Sequence, residues 1–212
     1  MSKKILIADD HAIVREGIKQ VLAEDKNLKV SGEAATIKEL FTLLDKDKWD
    51  IVILDINMPD KSGLEALKEI KNQYPHLPVL ILSMYGEEQY GIRALKAGAS
   101  GYLKKVSAPE ELVKAVDKIL NGGKYVSPAL GEKLVEILVA EQDHVPHEKL
   151  SDRELQILCM IASGKSADKI AEELFLSVHT IYSYRNRILE KMKMKSNVEL
   201  TQYAIRNNLI SI

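Results

Sequence analysis

The chain reads as an α/β protein: a doubly wound parallel sheet with helices on both faces, joined by a linker to a small all-α module. Three observations carry that reading. Over residues 1–121, five short apolar runs alternate with amphipathic helical patterns. The most apolar of them, Ile51-Val52-Ile53-Leu54 between Asp50 and Asp55, is unbroken, as in a strand buried on both faces. Residues 149–212, beyond a stretch punctuated by Pro and Gly, hold helical periodicity only.

Lys4-Ile5-Leu6-Ile7-Ala8 is the first strand, ending in Asp9-Asp10, and Ile13, Val14, Gly17, Ile18, Val21 and Leu22 space the helix after it. Leu28 to Gly32 is a weaker strand, followed by a helix marked by Ile37, Leu40, Phe41 and Leu44. The third strand ends at Asp55. Met58-Pro59 and Ser62-Gly63 turn the chain into a helix spaced by Leu64, Leu67, Ile70 and Lys71, which Pro75 stops. Pro78-Val79-Leu80-Ile81-Leu82 is a buried strand ending at Ser83. A helix with Ile92, Leu95 and Lys96 ends at Gly98, and Ser100-Gly101-Tyr102-Leu103 is a fifth strand ending at Lys104. Ser107-Ala108-Pro109-Glu110 is a capping box with proline in the first turn, and it opens a helix through Leu112, Val113, Val116 and Leu120 to Gly122-Gly123. Right-handed crossovers make the flavodoxin-like order 2-1-3-4-5 the economical arrangement of these strands. In that order Asp9-Asp10, Asp55, Ser83 and Lys104 all lie on one edge of the sheet, where open α/β sheets bind ligands.

Residues 122–148 change character, with Pro128, Gly131, Pro146 and an acidic excess around Glu141-Gln142-Asp143. A short helix fits Ala129 to Ala140, and the segment as a whole reads as a linker. Ser151-Asp152-Arg153-Glu154 is a second capping box. It starts a helix lined by Leu155, Leu158, Cys159 and Ile161 and stopped at Gly164, followed by one lined by Ala167, Ile170, Ala171 and Leu174. The turn Phe175-Leu176-Ser177 leads to a third helix through Ile181, Ile188, Leu189 and Met192, and Val198, Leu200, Tyr203, Ala204 and Ile205 form a fourth. Two helices joined by a short turn, the second one basic, make a helix-turn-helix pattern.

A net charge of −1 hides an asymmetry: residues 1–121 hold 18 Lys/Arg against 19 Asp/Glu, residues 122–148 hold 2 against 5, and residues 149–212 hold 10 against 7. Within 179–195, Arg185, Arg187, Lys191, Lys193 and Lys195 face a single acid, Glu190. A basic helix is the footprint of phosphate-backbone contact, although charged helix faces are more often simply solvated. Cys159, the one cysteine, lies in an apolar stretch and reads as a small buried hydrophobe. Lys3-Lys4 leads straight into a strand without a signal-peptide pattern, and no apolar segment nears the roughly 20 residues of a membrane span, so the expected location is the cytoplasm.

Three carboxylates meeting at one crevice repel one another unless a cation joins them. Oxygen ligands favour Mg²⁺, which also binds phosphate oxygens. A carboxylate can attack phosphorus to form an acyl phosphate if the charge on the phosphoryl oxygens is neutralised. Mg²⁺ on Asp10 and Asp55, the Lys104 ammonium and the Ser83 hydroxyl would do this from three directions. Singly, Asp9-Asp10 reads as a helix cap and Lys104 as a surface lysine; one specific group at the end of each of four strands favours the chemical reading. A phosphatase of the haloacid dehalogenase kind would want Asp-x-Asp, whereas Asp55 is followed by Ile56-Asn57. A further alternative is a binding module whose first domain works by protein contact, with the helical end only a dimer handle.

Ile7-Ala8-Asp9-Asp10-His11, Leu54-Asp55-Ile56-Asn57-Met58-Pro59-Asp60-Lys61-Ser62-Gly63, Ile81-Leu82-Ser83 and Lys96-Ala97-Gly98-Ala99-Ser100-Gly101-Tyr102-Leu103-Lys104-Lys105 resemble the receiver domain of bacterial two-component response regulators. Leu150-Ser151-Asp152-Arg153-Glu154, Ile170-Ala171-Glu172-Glu173-Leu174 and Thr180-Ile181 resemble the LuxR-type DNA-binding domain. In that order they are similar to the NarL/FixJ subfamily and cover nearly the whole chain except the linker. The resemblance implies a phosphorylation-controlled transcription factor with a receiver at 1–121, a linker at 122–148 and a DNA-binding domain at 149–212. It implies that Asp55 accepts phosphate from a sensor histidine kinase. Asp9, Asp10, Asp55 and the Asn57 carbonyl would hold Mg²⁺, Ser83 and Tyr102 would form a switch pair, and Lys104 would bridge the phosphoryl group and the acidic pocket. Catalysis of its own would be limited to assisting phosphotransfer and autodephosphorylation. Tyr102 has an alternative reading as a core aromatic with its hydroxyl at the surface.

For double-stranded promoter DNA, the resemblance places Tyr182, Ser183 and Asn186 at base edges and His179, Thr180, Arg185, Arg187 and Lys191 near phosphates. Many relatives carry lysine where this chain has His179 and Tyr182. A tyrosine cannot grip guanine in the bidentate way, while Asn186 can pair with adenine. A homodimer reading two half-sites is the expectation, through the receiver, the C-terminal helix or both.

Overall fold

The computed structural model describes residues 2–139 and 146–210. Two compact units divide the chain, Met1–Leu134 and Val135–Ile212. In the first, five strands form a parallel sheet in the order β2-β1-β3-β4-β5: β1 Lys3–Ala8, β2 Leu28–Ala34, β3 Ile51–Asp55, β4 Val79–Ser83 and β5 Gly101–Lys104. The expected order is the one found. The helices between them are α1 Ala12–Leu22, α2 Ile37–Lys46, α3 Gly63–Gln73, α4 Glu87–Lys96 and α5 Ala108–Leu120.

Every residue of β3 and β4 is buried, which is what continuous apolar runs covered by helices on both faces require. Alternate side chains serve opposite faces. Ile5, Ile7, Ile51, Ile53, Leu80, Leu82 and Leu103 share one core with Ile18 and Leu22 of α1 and Leu112 and Val116 of α5. The register then decides which groups meet at the crest. Ala8 lies beside Leu54 and Asp55 beside Leu82, so Asp9-Asp10 and Ser83 follow immediately on either side of the central carboxylate.

Two local readings need correction. β2 extends to Ala34 rather than stopping at Gly32, because it pairs with β1 across a register shift. At Ser107 the capping-box spacing forms no box. A capping residue must be extended, but Ser107 ends a 3-10 turn, Lys105–Ser107, with φ −88 and ψ −5, and its side chain makes no cap bond. Ser151, by contrast, is extended, accepts from the Glu154 backbone and receives the Glu154 carboxylate on its own N–H.

The segment expected as a linker carries a helix, α6 Pro128–Val139, close to the expected Ala129 to Ala140. The acidic run Glu141-Gln142-Asp143 lies outside the described residues. The second unit holds α7 Asp152–Ala162, α8 Ala167–Glu173, α9 Val178–Met192 and α10 Asn197–Arg206. Ile170, Leu174, Ile181, Ile188, Met192, Leu200 and Ala204 are buried within it, and Ser166, Ser177 and Ser196 cap α8, α9 and α10 through their hydroxyls. Between α8 and α9, Phe175 adopts φ 54, a left-handed turn residue. No described helix is long and apolar enough to cross a membrane.

Candidate functional site

Asp55 terminates the central strand with 2% of its surface exposed, and Asp9 is equally buried at the end of β1. Asp9 is held from several sides: its Oδ1 accepts the His11 backbone N–H at 2.9 Å, and its carbonyl accepts Arg15 at 2.7 Å. Asp10 is more exposed and lies 2.6 Å from the His11 ring, so Asp9, Asp10 and His11 turn ligand-type atoms toward one another. The Asn57 backbone N–H bonds the Asp55 carboxylate.

The cation in this crevice is Lys105, not Lys104. Lys105 Nζ stands 2.7 Å from Asp55 Oδ2 and 2.6 Å from Asp9 Oδ2. Lys104 is exposed at the end of β5, opposite Ser83 in register. The reason is the two-residue alternation of a strand, which sends Lys104 out where Lys105, turned by the following 3-10 helix, reaches back over the crest. The doublet Lys104-Lys105 together with that alternation was a signal available in the sequence.

Burial pushes the Asp55 carboxyl up; the Lys105 ammonium draws it down and Asp9 pushes it up again, leaving it above the ordinary range. Burial disfavours the charged form of Lys105 as well, but Asp55 and Asp9 outweigh it and the ammonium is held protonated. One ammonium therefore serves two buried carboxylates, Asp10 lies beside Asp9, and Asp55 Oδ1 is buried without a hydrogen-bond partner among the described residues. Such a site fits a hard divalent cation, which would satisfy that oxygen and balance the charge.

Ser83 is fully buried, and its Oγ accepts the Tyr85 N–H at 3.2 Å. The Tyr102 ring is also fully buried, and its hydroxyl donates to the Tyr85 carbonyl at 2.9 Å rather than reaching the surface. Burial, only partly offset by the Ser83 hydroxyl, holds that phenol well above its usual range.

A stability consequence follows. A carboxyl whose pKa is higher folded than unfolded binds more protons in the native state, so stability falls as pH rises from the ordinary carboxylate pKa through the raised one, and the penalty persists at neutral pH. Asp55→Asn removes it, while Lys105 keeps Asp9 as its partner. The variant is expected to be more stable at pH 7 without divalent cation, with the gain shrinking in acid. Urea unfolding followed by Trp49, the only tryptophan in the chain, reads this unit alone.

In the second unit α9 divides cleanly. Ile181, Ile188 and Met192 are buried, and His179, Tyr182 and Asn186 are exposed on the opposite side, at helical spacing with Ser183. Thr180 bonds the Ser177 cap at 2.7 Å. Arg187 lies over the Tyr184 ring at 4.6 Å. Arg185 lies toward the buried side, one turn from Ile181, and its guanidinium donates to Asn197 at the start of α10 at 2.6 Å. Lys191 is paired at 2.6 Å with Glu154, the same carboxylate that completes the Ser151 capping box. Burial alone would raise the Glu154 carboxyl, but Lys191 and the Ser151 N–H outweigh it and hold it below the ordinary range. The basic residues expected at phosphates are therefore divided: Arg187 lies on the open surface, whereas Arg185 and Lys191 also tie α9 to α10 and α7.

Residues 5–117 match the response regulator receiver domain family, and residues 148–204 match the luxR family of bacterial regulatory proteins. The chain is a response regulator of the NarL/FixJ family. Its relatives align end to end. The response regulator GacA of Pseudomonas aeruginosa is 36% identical over 98% of this chain and 97% of its own length, and the oxygen regulatory protein NreC of Staphylococcus carnosus is 37% identical over 98% and 99%. Among solved structures, RcsB of Salmonella enterica serovar Typhimurium, bound to promoter rprA in the presence of the phosphomimetic BeF3−, superposes with a TM-score of 0.67 at 28% identity, covering 96% of this chain and 98% of that one. This response regulator thus couples a receiver to a LuxR-type DNA-binding domain, the architecture of a phosphorylation-dependent transcription regulator.

Proposed function

We propose that a sensor histidine kinase phosphorylates this regulator on Asp55 and that the phosphorylated chain, as a homodimer, binds promoter DNA through α9. The observation that carries the first half is the buried Asp55 carboxylate with one oxygen on Lys105 and the other unpartnered. In the transfer, an Asp55 oxygen attacks the phosphorus of a phosphohistidine. The P–N bond breaks, its electron pair stays on the imidazole nitrogen, and that nitrogen takes a proton from solvent. Lys105 neutralises charge on the phosphoryl oxygens and holds Asp9 and Asp55 in place. The Ser83 hydroxyl, now an acceptor for Tyr85, can turn to donate to a phosphoryl oxygen. Asp9, Asp10, Asp55 and the Asn57 carbonyl would hold Mg²⁺, which when bound offsets further phosphoryl charge. Hydrolysis reverses the state: water attacks phosphorus, the Asp55–phosphoryl bond breaks and the carboxylate is restored.

For the second half, His179, Tyr182, Ser183 and Asn186 form the face that would enter the major groove, with Asn186 suited to adenine. Thr180 and Arg187 would meet phosphates on its flank. Arg185 and Lys191 would orient α9 as well as add charge. This reading of the DNA half rests on the exposed α9 face and on the RcsB structures bound to DNA.

One experiment tests both halves. Incubation with Mg²⁺ and acetyl phosphate should add one phosphoryl group to the wild type and none to Asp55→Asn, by intact mass. The phosphorylated sample alone should gain salt-dependent affinity for promoter DNA. Equal mass gain in both proteins would remove Asp55 from the reaction, and equal DNA affinity in all samples would remove the phosphoryl group from control of binding.

A further inference from the structure

Arg185 joins two side-chain amides in the second unit. Its Nε donates to Asn197 Oδ1 at 2.6 Å, and its Nη1 donates to Asn186 Oδ1 at 3.4 Å. Asn197 is the first residue of α10, whereas Asn186 stands on the exposed face of α9, one turn after Tyr182. The guanidinium is planar, so the direction fixed by the short bond at Nε also fixes where Nη1 points. Arg185 is half-buried and lines a cavity of about 150 Å³ together with Ile161, Ile170, Ile181 and Tyr182. That seat leaves it fewer orientations than an arginine on an open helix face.

The chemistry of arginine settles how both amides are turned. A guanidinium carries donors only, so each carboxamide must present its oxygen to it and turn its NH2 away. Arg185 is the one hydrogen-bond partner of the Asn197 side chain among the described residues, since Ser196 is the residue that caps α10. For Asn186 the consequence is selective. Its Oδ1 keeps a second lone pair, and its Nδ2 has no partner among the described residues. In the major groove adenine offers an acceptor, N7, beside a donor, its N6 amino group, which matches an NH2 beside an oxygen. Guanine offers two acceptors, N7 and O6, and an amide oxygen held in place meets O6 lone pair to lone pair. An amide free to turn escapes that clash by giving both hydrogens of its NH2 to guanine.

The neighbours on the same face do not make this choice. The Ser183 hydroxyl is given to the His179 carbonyl at 3.1 Å, and Arg187 lies over the Tyr184 ring while donating to the Ser183 carbonyl. The Tyr182 hydroxyl both donates and accepts, so it suits either purine. Discrimination between adenine and guanine falls to Asn186 and to whatever holds its amide.

We infer that Asn197 is a specificity residue of the DNA-binding unit, an inference that rests on α9 as the helix entering the major groove: through Arg185, Asn197 holds the Asn186 carboxamide in the orientation that pairs with adenine and not with guanine. Asn197 is a positioning residue and acts without touching a base.

Selection from a pool of duplexes with a randomised central segment, using the full chain with Mg²⁺ and acetyl phosphate, tests it. The base position whose preference Asn186→Ala abolishes is the one that Asn186 reads. There the wild type should favour adenine over guanine at least tenfold. Asn197→Ala should bring that ratio within threefold. Preferences at the other positions, the salt dependence of binding and thermal unfolding by circular dichroism should stay as in the wild type. Asn197→Asp, which offers Arg185 an acceptor of the same shape, should restore the ratio even where its added charge weakens all sequences alike. An unchanged ratio in Asn197→Ala overturns the inference and leaves α9 as the reading helix. Equal weakening at every position in Asn197→Ala, or a ratio in Asn197→Asp no better than in Asn197→Ala, reduces the bond to a tie between helices and overturns it too. A base other than adenine preferred at the Asn186 position does the same. If the wild type enriches no sequence, the α9 reading fails, and if Asn186→Ala leaves every position unchanged, Asn186 is no reader; the role of Asn197 falls with either.

Discussion

Gly63→Ala is expected to destabilise the receiver by about 3 kcal/mol or more and to lower its Tm by roughly 10 °C or more, as read by Trp49 fluorescence. The N–H of Gly63 donates to the Ile56 carbonyl at 2.9 Å, drawing the start of α3 tightly under the end of β3. A Cβ at this position would overlap the Asp55 carbonyl oxygen and stand 2.8 Å from the Ile56 Cα and 2.9 Å from the Asp55 carbonyl carbon. All three atoms are backbone, so nothing flexible can yield. Relief requires moving α3 or the end of the central strand, and the strand carries Asp55, the proposed phosphoacceptor. The variant should therefore also lose phosphoryl uptake from acetyl phosphate below its own melting temperature. Gly17→Ala is the control: in α1 a Cβ meets nothing within 4 Å, and the change should be neutral or stabilising by up to about 1 kcal/mol through helix propensity. If Gly63→Ala melted and phosphorylated like Gly17→Ala, the close approach of α3 to Asp55 would be wrong.

Gly63 also marks where the sequence stopped being informative. Ser62-Gly63 was legible as the end of a loop, because small and turn-prone residues after Met58-Pro59 break the strand pattern. That the glycine is needed against the Asp55 carbonyl follows only from how α3 folds back, a contact between residues eight apart that no local pattern records. The sheet itself was legible for the opposite reason. Runs such as Ile51-Val52-Ile53-Leu54 and Val79-Leu80-Ile81-Leu82 state burial on two faces directly, and connection rules then leave few strand orders. Ser107 failed as a capping box because the motif specifies spacing and not the conformation of the capping residue, which the preceding 3-10 turn decides. On α9 the basic cluster was legible, but not its division. Arg185 lies beside the buried stripe and finds Asn197, and Lys191 finds Glu154, partners that come from α10 and α7. The bridge that Tyr125 makes to Gly101 beside β5 was invisible altogether, since its hydrogen bonds are backbone bonds to a strand 24 residues upstream.

The lysine doublet gives the largest functional contrast between neighbouring residues. Lys105→Met is expected to slow phosphoryl transfer from acetyl phosphate at least tenfold, while Lys104→Met stays within twofold of wild type. Lys105 is the ammonium that touches both Asp9 and Asp55, and its removal leaves two buried carboxylates, each 2% exposed, without their shared cation. Two effects then act in one direction. The Asp55 carboxyl, already raised by burial, loses the charge that opposes the rise, so less of it is ionised to attack phosphorus. The transition state loses one preorganised positive group, a loss that commonly reduces rates by 10²–10³. Raising the pH should recover the first effect and not the second, so the rate ratio between wild type and Lys105→Met should narrow with pH but not close. Lys104 is exposed, and its nearest charged influence is on Glu87 rather than on Asp55, so its methionine variant tests position against mere presence of a lysine. A tenfold loss in Lys104→Met with Lys105→Met unaffected would reverse the assignment and restore the strand-end residue as the phosphoryl partner.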